Sequence, residues 1–233
     1  MRVRKSRAPH IEPEAVVRAA LEILDIGGLE HVTLRQISSK LGVQAPALYW
    51  HFKDKQDLID DMAQAILVEG GLEDIKRPKD PNAWDQWLIE TAHAVRKALI
   101  SHRDGGRVVA GASFSANTLA TLSILMTRVL KEAGFELLYA SLATGTTIDY
   151  IWGFVIEEQA GAGPEPDSAS TQGDAIAFPY GLDLMDADLL DAIMKKNDKL
   201  TATERFDWGL QILVSGLRSA LMEKRNLVRA RKK

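Results

Sequence analysis

Apolar residues recur at helical spacing through most of the chain, and nowhere does the two-residue alternation of a strand persist. The first stripe, Val16, Val17, Ala20, Leu21 and Leu24, opens at Pro13 and closes at Gly27-Gly28. A short second helix starts at Thr33 and Gln36, a T-x-x-Q capping box whose hydroxyl and amide satisfy N–H groups at the helix start. Ile37 and Leu41 form its apolar face, and Gly42 supplies the positive φ with which a chain leaves a helix sharply. Pro46 suits the first position of a third helix, where its missing N–H costs nothing, with Leu48 and Phe52 facing inward. Asp54 caps a fourth, whose stripe is Leu58, Ile59, Met62, Ile66 and Leu67, ending near Gly70-Gly71. Pro78 and Pro81 interrupt the pattern, after which spacing predicts helices roughly over 82–101, 104–110, 116–133, 136–160, 184–196 and 202–226. The expected fold class is all-α. Gly161 to Gly181, rich in Gly, Pro, Ser and Asp, is the one long irregular stretch, either a functional or mobile loop or a tolerated insertion.

The stretch from Thr33 to Lys55 carries the first functional signal. With Leu48 and Phe52 buried, Gln44, Ala45, Ala47, Tyr49, Trp50 and His51 turn to solvent, a surface too aromatic for an ordinary soluble helix. Two helices joined by a tight glycine turn, the second presenting small, amide and aromatic side chains, describe a helix-turn-helix whose second helix enters the major groove. In the alternative, Tyr49 and Trp50 are packing residues of a common helical hairpin.

Net charge alters that picture once it is divided. The whole chain carries −3, but residues 1–55 carry +3 and the remainder −6, so the positive field sits with the motif. Arg2, Arg4, Lys5 and Arg7 form a polar arm that either reaches a minor groove or is a solvated terminus, and the tail RNLVRARKK is a basic, solvated end. No apolar run approaches the ~18 residues that span a bilayer, and no apolar segment follows the basic start, so a cytoplasmic protein without membrane contact is expected. The lack of cysteine excludes disulfides, thiolate zinc sites and a cysteine nucleophile. The histidines His10, His31, His51, His93 and His102 are scattered, with no His-Glu-x-x-His pair, G-x-S-x-G or P-loop spacing, so no catalytic residue or cofactor is assigned. The rival class is a helical enzyme acting on a hydrophobic small molecule, with the N-terminal module as a protein-interaction surface.

The run LGVQAPALYWHFKDK, residues 41–55, resembles the DNA-binding domain of the tetracycline repressor (TetR) family. SHRDGGRVVAG at 101–111, YIWGFVIEEQ at 150–159 and FDWGLQILVSGL at 206–217 extend the likeness to the tetracycline-binding members of that family, over nearly the whole chain. The resemblance implies a DNA-binding domain over 1–55 and a helical ligand-binding and dimerisation domain over 56–233. It also implies a homodimer built on the helices near 136–160 and 202–226, and a small-molecule effector that releases DNA. Leu210, Leu213, Val214, Leu217 and Leu221 give the last helix an apolar stripe fit for such a dimer or for burial within one subunit.

For a double-stranded operator, Arg35 and Gln44 suit base edges, the guanidinium fork matching guanine O6 and N7. Ala45, Pro46, Ala47 and Tyr49 offer small or apolar contacts, and Trp50, His51 and Lys55 suit phosphates. The pocket departs from tetracycline-binding relatives. Their magnesium-linked histidine matches Val109, which cannot hold a hard cation, so no metal is expected. Other polar or aromatic drug contacts match Gly71, Thr91 and Val95, while Glu157 survives among the metal-linked residues. The expected lining is Thr91, Val95, Val109, Phe114, Met126, Ser141, Thr144 and Ile148, with Glu157 as an anchor and Leu190 and Met194 added across the dimer. Such a surface suits a largely apolar aromatic or polycyclic effector.

Overall fold

A computed structural model of the protein describes residues 12–113, 117–161, 192, 195–196 and 199–230. The basic arm, Phe114, Leu190, Met194, the greater part of the 161–181 stretch and the extreme tail lie outside the described residues, as does most of the helix expected over 184–196. The described chain is all-α, with no strand. Its helices are α1 (Pro13–Gly27), α2 (Leu34–Leu41), α3 (Lys55–Glu69), α4 (Trp84–Ile100), α5 (Gly105–Ala110), α6 (Asn117–Ala133), α7 (Leu137–Gly161) and α8 (Ala202–Ala230), with short 3-10 turns between several of them.

Local chemistry explains the first boundaries. Pro13 begins α1, and Gly28 ends it at φ 79°. Thr33 Oγ1 accepts from Gln36 N at 3.2 Å, the hydroxyl half of the capping box, and Gly42 closes α2 in the left-handed region at φ 65°. Asp54 Oδ1 accepts from Asp57 N at 3.0 Å to start α3, and the Asp57 carboxylate in turn accepts from Lys53 N at 3.0 Å. The segment after Gly42 differs from expectation. Ala45–Trp50 is a 3-10 turn rather than an α-helix. It spans six residues, Pro46 contributes no N–H, and its bonds are of the shorter kind, such as Ala47 N to Gln44 O at 2.9 Å.

Val16, Ala20 and Leu24 of α1 close over Ile37, Leu48 and Phe52, all of them buried. α3 packs on α1 at one side and on α4, α5 and α6 at the other, and is continuous across the two halves of the molecule. In the C-terminal half, α4 is enclosed by α6, α7 and α8. Within that packing Arg96 is almost fully buried, donating to Glu158 from Nε at 2.9 Å and from Nη2, with its guanidinium over the rings of Phe154 and Phe206. Tyr150 Oη donates to Phe206 O at 2.7 Å, tying α7 to α8.

Candidate functional site

Burial of Leu48 and Phe52 decides what the 3-10 turn presents. Both are almost completely enclosed, so the residues between and around them point away from the protein: Tyr49 is 58% exposed and Trp50 88%. Gln44 and Pro46 are exposed, while Ala45, Ala47 and His51 are half-buried at the edges of the same surface. Arg35 on α2 and Lys55 on α3 flank it, both exposed, and neither makes an ion pair among the described residues. Lys40 differs, being held by Glu22 at 2.7 Å. Free cations at the margin of a rigid aromatic ridge suit a phosphate backbone at the edges and base edges in the middle.

Three joints tie this surface to the rest of the molecule through α5. At its start, Asp104 Oδ2 accepts from Leu29 N at 2.8 Å, Arg103 Nη1 donates to Ile26 O at 3.0 Å, and Arg107 pairs with Glu30 at 2.8 Å. The hydrogen bond that it donates to Glu30 is the main reason the Arg107 guanidinium is held above its ordinary pKa. His102 Nδ1 lies 3.0 Å from Asp25 Oδ2 in the same cluster. Beyond its end, Gln56 Nε2 in the first turn of α3 donates to Gly111 O at 2.9 Å, and Asp60 accepts from Ser113 N at 2.8 Å. On the inner side, Gln159 of α7 accepts from Gly106 N at 3.0 Å and donates to His102 O at 2.8 Å. That approach needs glycine, since a Cβ on Gly106 would meet Val155 at 3.0 Å and one on Gly105 would sit 2.2 Å from Leu99 O. None of these pairings was apparent in the sequence, because the partners lie far apart in the chain.

The residues expected to line an effector pocket fall into different environments. Ser141, Thr144 and Ile148 line one cleft, of about 880 Å³, between α6 and α7. Thr144 is buried there and shares a 3.1 Å hydrogen bond with Thr127. Thr91, Val95, Val109 and Met126 are packed in the core. Glu157 is exposed on α7, and it is the neighbouring Glu158 that is engaged, by Arg96. Among the other residues of that lining, which the sequence did not single out, are Ile124, Arg128, Lys131 and Leu138.

A second apolar surface covers α7 and α8. Leu138, Tyr139 and Leu142 of α7 and Trp208, Ile212 and Met222 of α8 are all more than half exposed, beside a groove of about 620 Å³ lined by Phe135, Leu213 and Leu217. Of the stripe expected on the last helix, Leu210, Val214 and Leu221 are buried within the subunit and Leu213 and Leu217 half-buried. No helix among the described residues is long and apolar enough to cross a membrane.

Comparison with known proteins assigns both halves. Residues 16–62 match the family described as bacterial regulatory proteins, tetR family, and residues 77–221 match the tetracyclin repressor-like C-terminal domain. The chain is 35% identical to the class A tetracycline repressor protein from transposon 1721 of Escherichia coli, over 95% of this chain and 97% of that one. A variant of TetR from Acinetobacter baumannii AYE, solved with minocycline, superposes with a TM-score of 0.67 at 29% identity, covering 91% of this chain and 99% of that one. BioQ, solved with its natural double-stranded DNA operator, superposes at 0.64 and 27%, covering 90% and 99%. The chain therefore belongs to the TetR family of DNA-binding transcriptional regulators.

Proposed function

We propose that this protein is a cytoplasmic repressor that binds a palindromic operator as a homodimer and lets go when a largely apolar small molecule binds. The observation that carries the reading is the outward projection of Tyr49 and Trp50 between Arg35 and Lys55, which make no ion pair among the described residues. Arg35 and Gln44 read base edges, Ala45, Pro46, Ala47 and Tyr49 fill small apolar contacts, and Trp50, His51 and Lys55 hold phosphates. One copy of so short a reading surface is too little, and a two-fold axis through the exposed face of α7 and α8 supplies the second, ~34 Å along the same side of the duplex. The DNA-bound BioQ supports operator binding, and the minocycline complex of the Acinetobacter protein supports an effector domain.

Residues 1–55 form the reading domain and 56–233 the effector domain, with α3 and α5 between them. The effector enters at the α6–α7 cleft, over Ser141, Thr144 and Ile148, with Thr91, Val95, Val109 and Met126 as the packed wall that shifts. Phe114 and Glu157 complete the assigned set. α5 is fastened at both ends, so a change in the core beside Val109 reaches the turn after α1 through Asp104 and Arg107 and reaches α3 through Gln56 and Asp60. Effector thus favours a state in which the two reading heads no longer match groove spacing.

The test is selection of duplexes from a random pool by the full-length protein, followed by anisotropy titration at several salt concentrations. A palindromic consensus with a steep loss of affinity as salt rises is expected. Recovery of no consensus, or affinity indifferent to salt, would overturn the reading.

A further inference from the structure

The cleft between α6 and α7 is not merely apolar. α6 contributes Ser123, Ile124, Thr127, Arg128 and Lys131, one face of the helix, and across from it α7 contributes Leu137, Leu138, Ser141, Thr144, Gly145 and Ile148. The lining contains two cations and no carboxylate. Arg128 and Lys131 lie three apart on α6, where like charges repel. Neither makes an ion pair or a side-chain hydrogen bond among the described residues. The natural partner for Arg128 one turn on is Glu132, but Glu132 is held by Arg77 at 3.0 Å. One turn along α7 from Ile148, on the same flank, the Trp152 indole N–H is shielded from solvent and has no acceptor among the described residues. An apolar floor edged by unneutralised donors fits a ligand with one apolar body and one anionic group.

We propose that the α6–α7 cleft selects amphipathic organic anions, an aromatic body over Ile124, Leu138 and Ile148 and a carboxylate, sulfonate or phenolate held by Arg128 and Lys131. This rests on the assignment of the cleft as the effector site and names the chemical class that it takes. The charge complementarity lies in the cleft itself. Lys97 on α4 and Arg205 on α8 are also exposed, but no groove of hydrophobic residues adjoins them in the same lining.

The test uses two fluorescent probes of nearly the same shape, anilinonaphthalene sulfonate, which is anionic, and N-phenyl-naphthylamine, which is neutral. Full-length wild-type protein is expected to bind the sulfonate about fivefold more tightly, the two cations each adding a modest surface attraction. In the Arg128→Gln, Lys131→Gln double variant that preference disappears, while the neutral probe binds as before and operator affinity is unchanged, because both residues are remote from the reading head. Equal affinity of wild type for the two probes, or a preference that survives in the double variant, overturns the proposal. So does sulfonate binding that vanishes as protein concentration rises through the dimerisation range, which would mean that a second copy fills the cleft. Intact operator binding beside any of these results leaves the repressor reading standing. Loss of operator binding in wild type, with the probe preference intact, removes the repressor reading and keeps the cleft chemistry.

Discussion

The two halves of the molecule both expose hydrophobic side chains, but of different kinds. On the N-terminal half the exposed pair is Tyr49 and Trp50, rings with a polar edge, near Arg35 and Lys55, which make no ion pair among the described residues. On α7 and α8 Leu142, Ile212 and Met222 stand beside Tyr139 and Trp208, so the exposed surface is largely aliphatic. Rings with donors beside free positive charge make sense against a nucleic acid, which offers phosphates and base edges together. Aliphatic side chains offer a partner only burial, which is why the second face is the one proposed for a protein partner. Exposure alone would not separate the two, and the company each patch keeps does.

The comparison breaks most decisively on α7. Leu142→Glu puts a carboxylate into the proposed two-fold face on both copies, each charge costing on the order of several kcal/mol if desolvated. Sedimentation should then find a folded monomer with operator affinity lost, whereas Trp50→Ala should leave the oligomer intact and weaken DNA binding only. A dimeric Leu142→Glu variant would move the interface elsewhere. Next in size is the buried ion pair. Glu158→Ala strands the Arg96 guanidinium, and removing one partner of such a pair costs about 3–5 kcal/mol. Chemical denaturation reads the loss, and Glu157→Ala, adjacent in sequence but exposed on α7, is the control expected to change little.

On the reading head the effects are smaller and specific. Arg35→Ala should cost about 1–3 kcal/mol of operator affinity and relax one position of the consensus, while Lys55→Ala should weaken all sequences alike and reduce the salt slope by about one. An unchanged consensus for Arg35→Ala would remove it from base reading. Thr33→Ala, which deletes the hydroxyl at the start of α2, should lower stability by about 1 kcal/mol in thermal unfolding without altering sequence preference.

Where the sequence could be read, the controlling forces were local. Thr33, Gly42 and Asp54 act on neighbours within four residues, so cap and turn chemistry placed α2 and α3 to the residue. The 3-10 form of Ala45–Trp50 escaped because a segment of barely two turns has no periodicity to measure. Long-range polar pairs escaped for another reason. Arg96 with Glu158, Leu29 with Asp104 and Gln56 with Gly111 are joined only by the tertiary fold, and nothing in the spacing of the chain links them. The same limit applies to the cleft. Helical spacing marks Val95 and Met126 as inward-facing and Thr144 as half-polar, but which inward positions meet packing and which meet a cavity depends on how α6 and α7 are set apart.

The smallest effect bears on the joint between the halves. Asp60 is the acceptor for Ser113 N and for Gln56 Nε2, both at 2.8 Å. Partial burial raises the pKa of its carboxyl, but the hydrogen bonds from Ser113 and Gln56 outweigh that and leave it below the usual carboxylate value. A folded-state pKa depressed in this way contributes stability that is fully present above the unfolded pKa and disappears as pH falls through the folded one. From about pH 5 to pH 8 the fastening of α3 to the segment after α5 should therefore not titrate. Asp60→Asn keeps the shape and one acceptor oxygen but removes the charge. Its operator affinity at neutral pH should fall slightly and its acid unfolding should begin from a lower plateau with a shallower slope. If wild type and Asp60→Asn unfold along the same acid curve, the carboxylate takes no part in the joint, and the proposed coupling rests on Asp104, Arg107 and the Gln56 to Gly111 hydrogen bond.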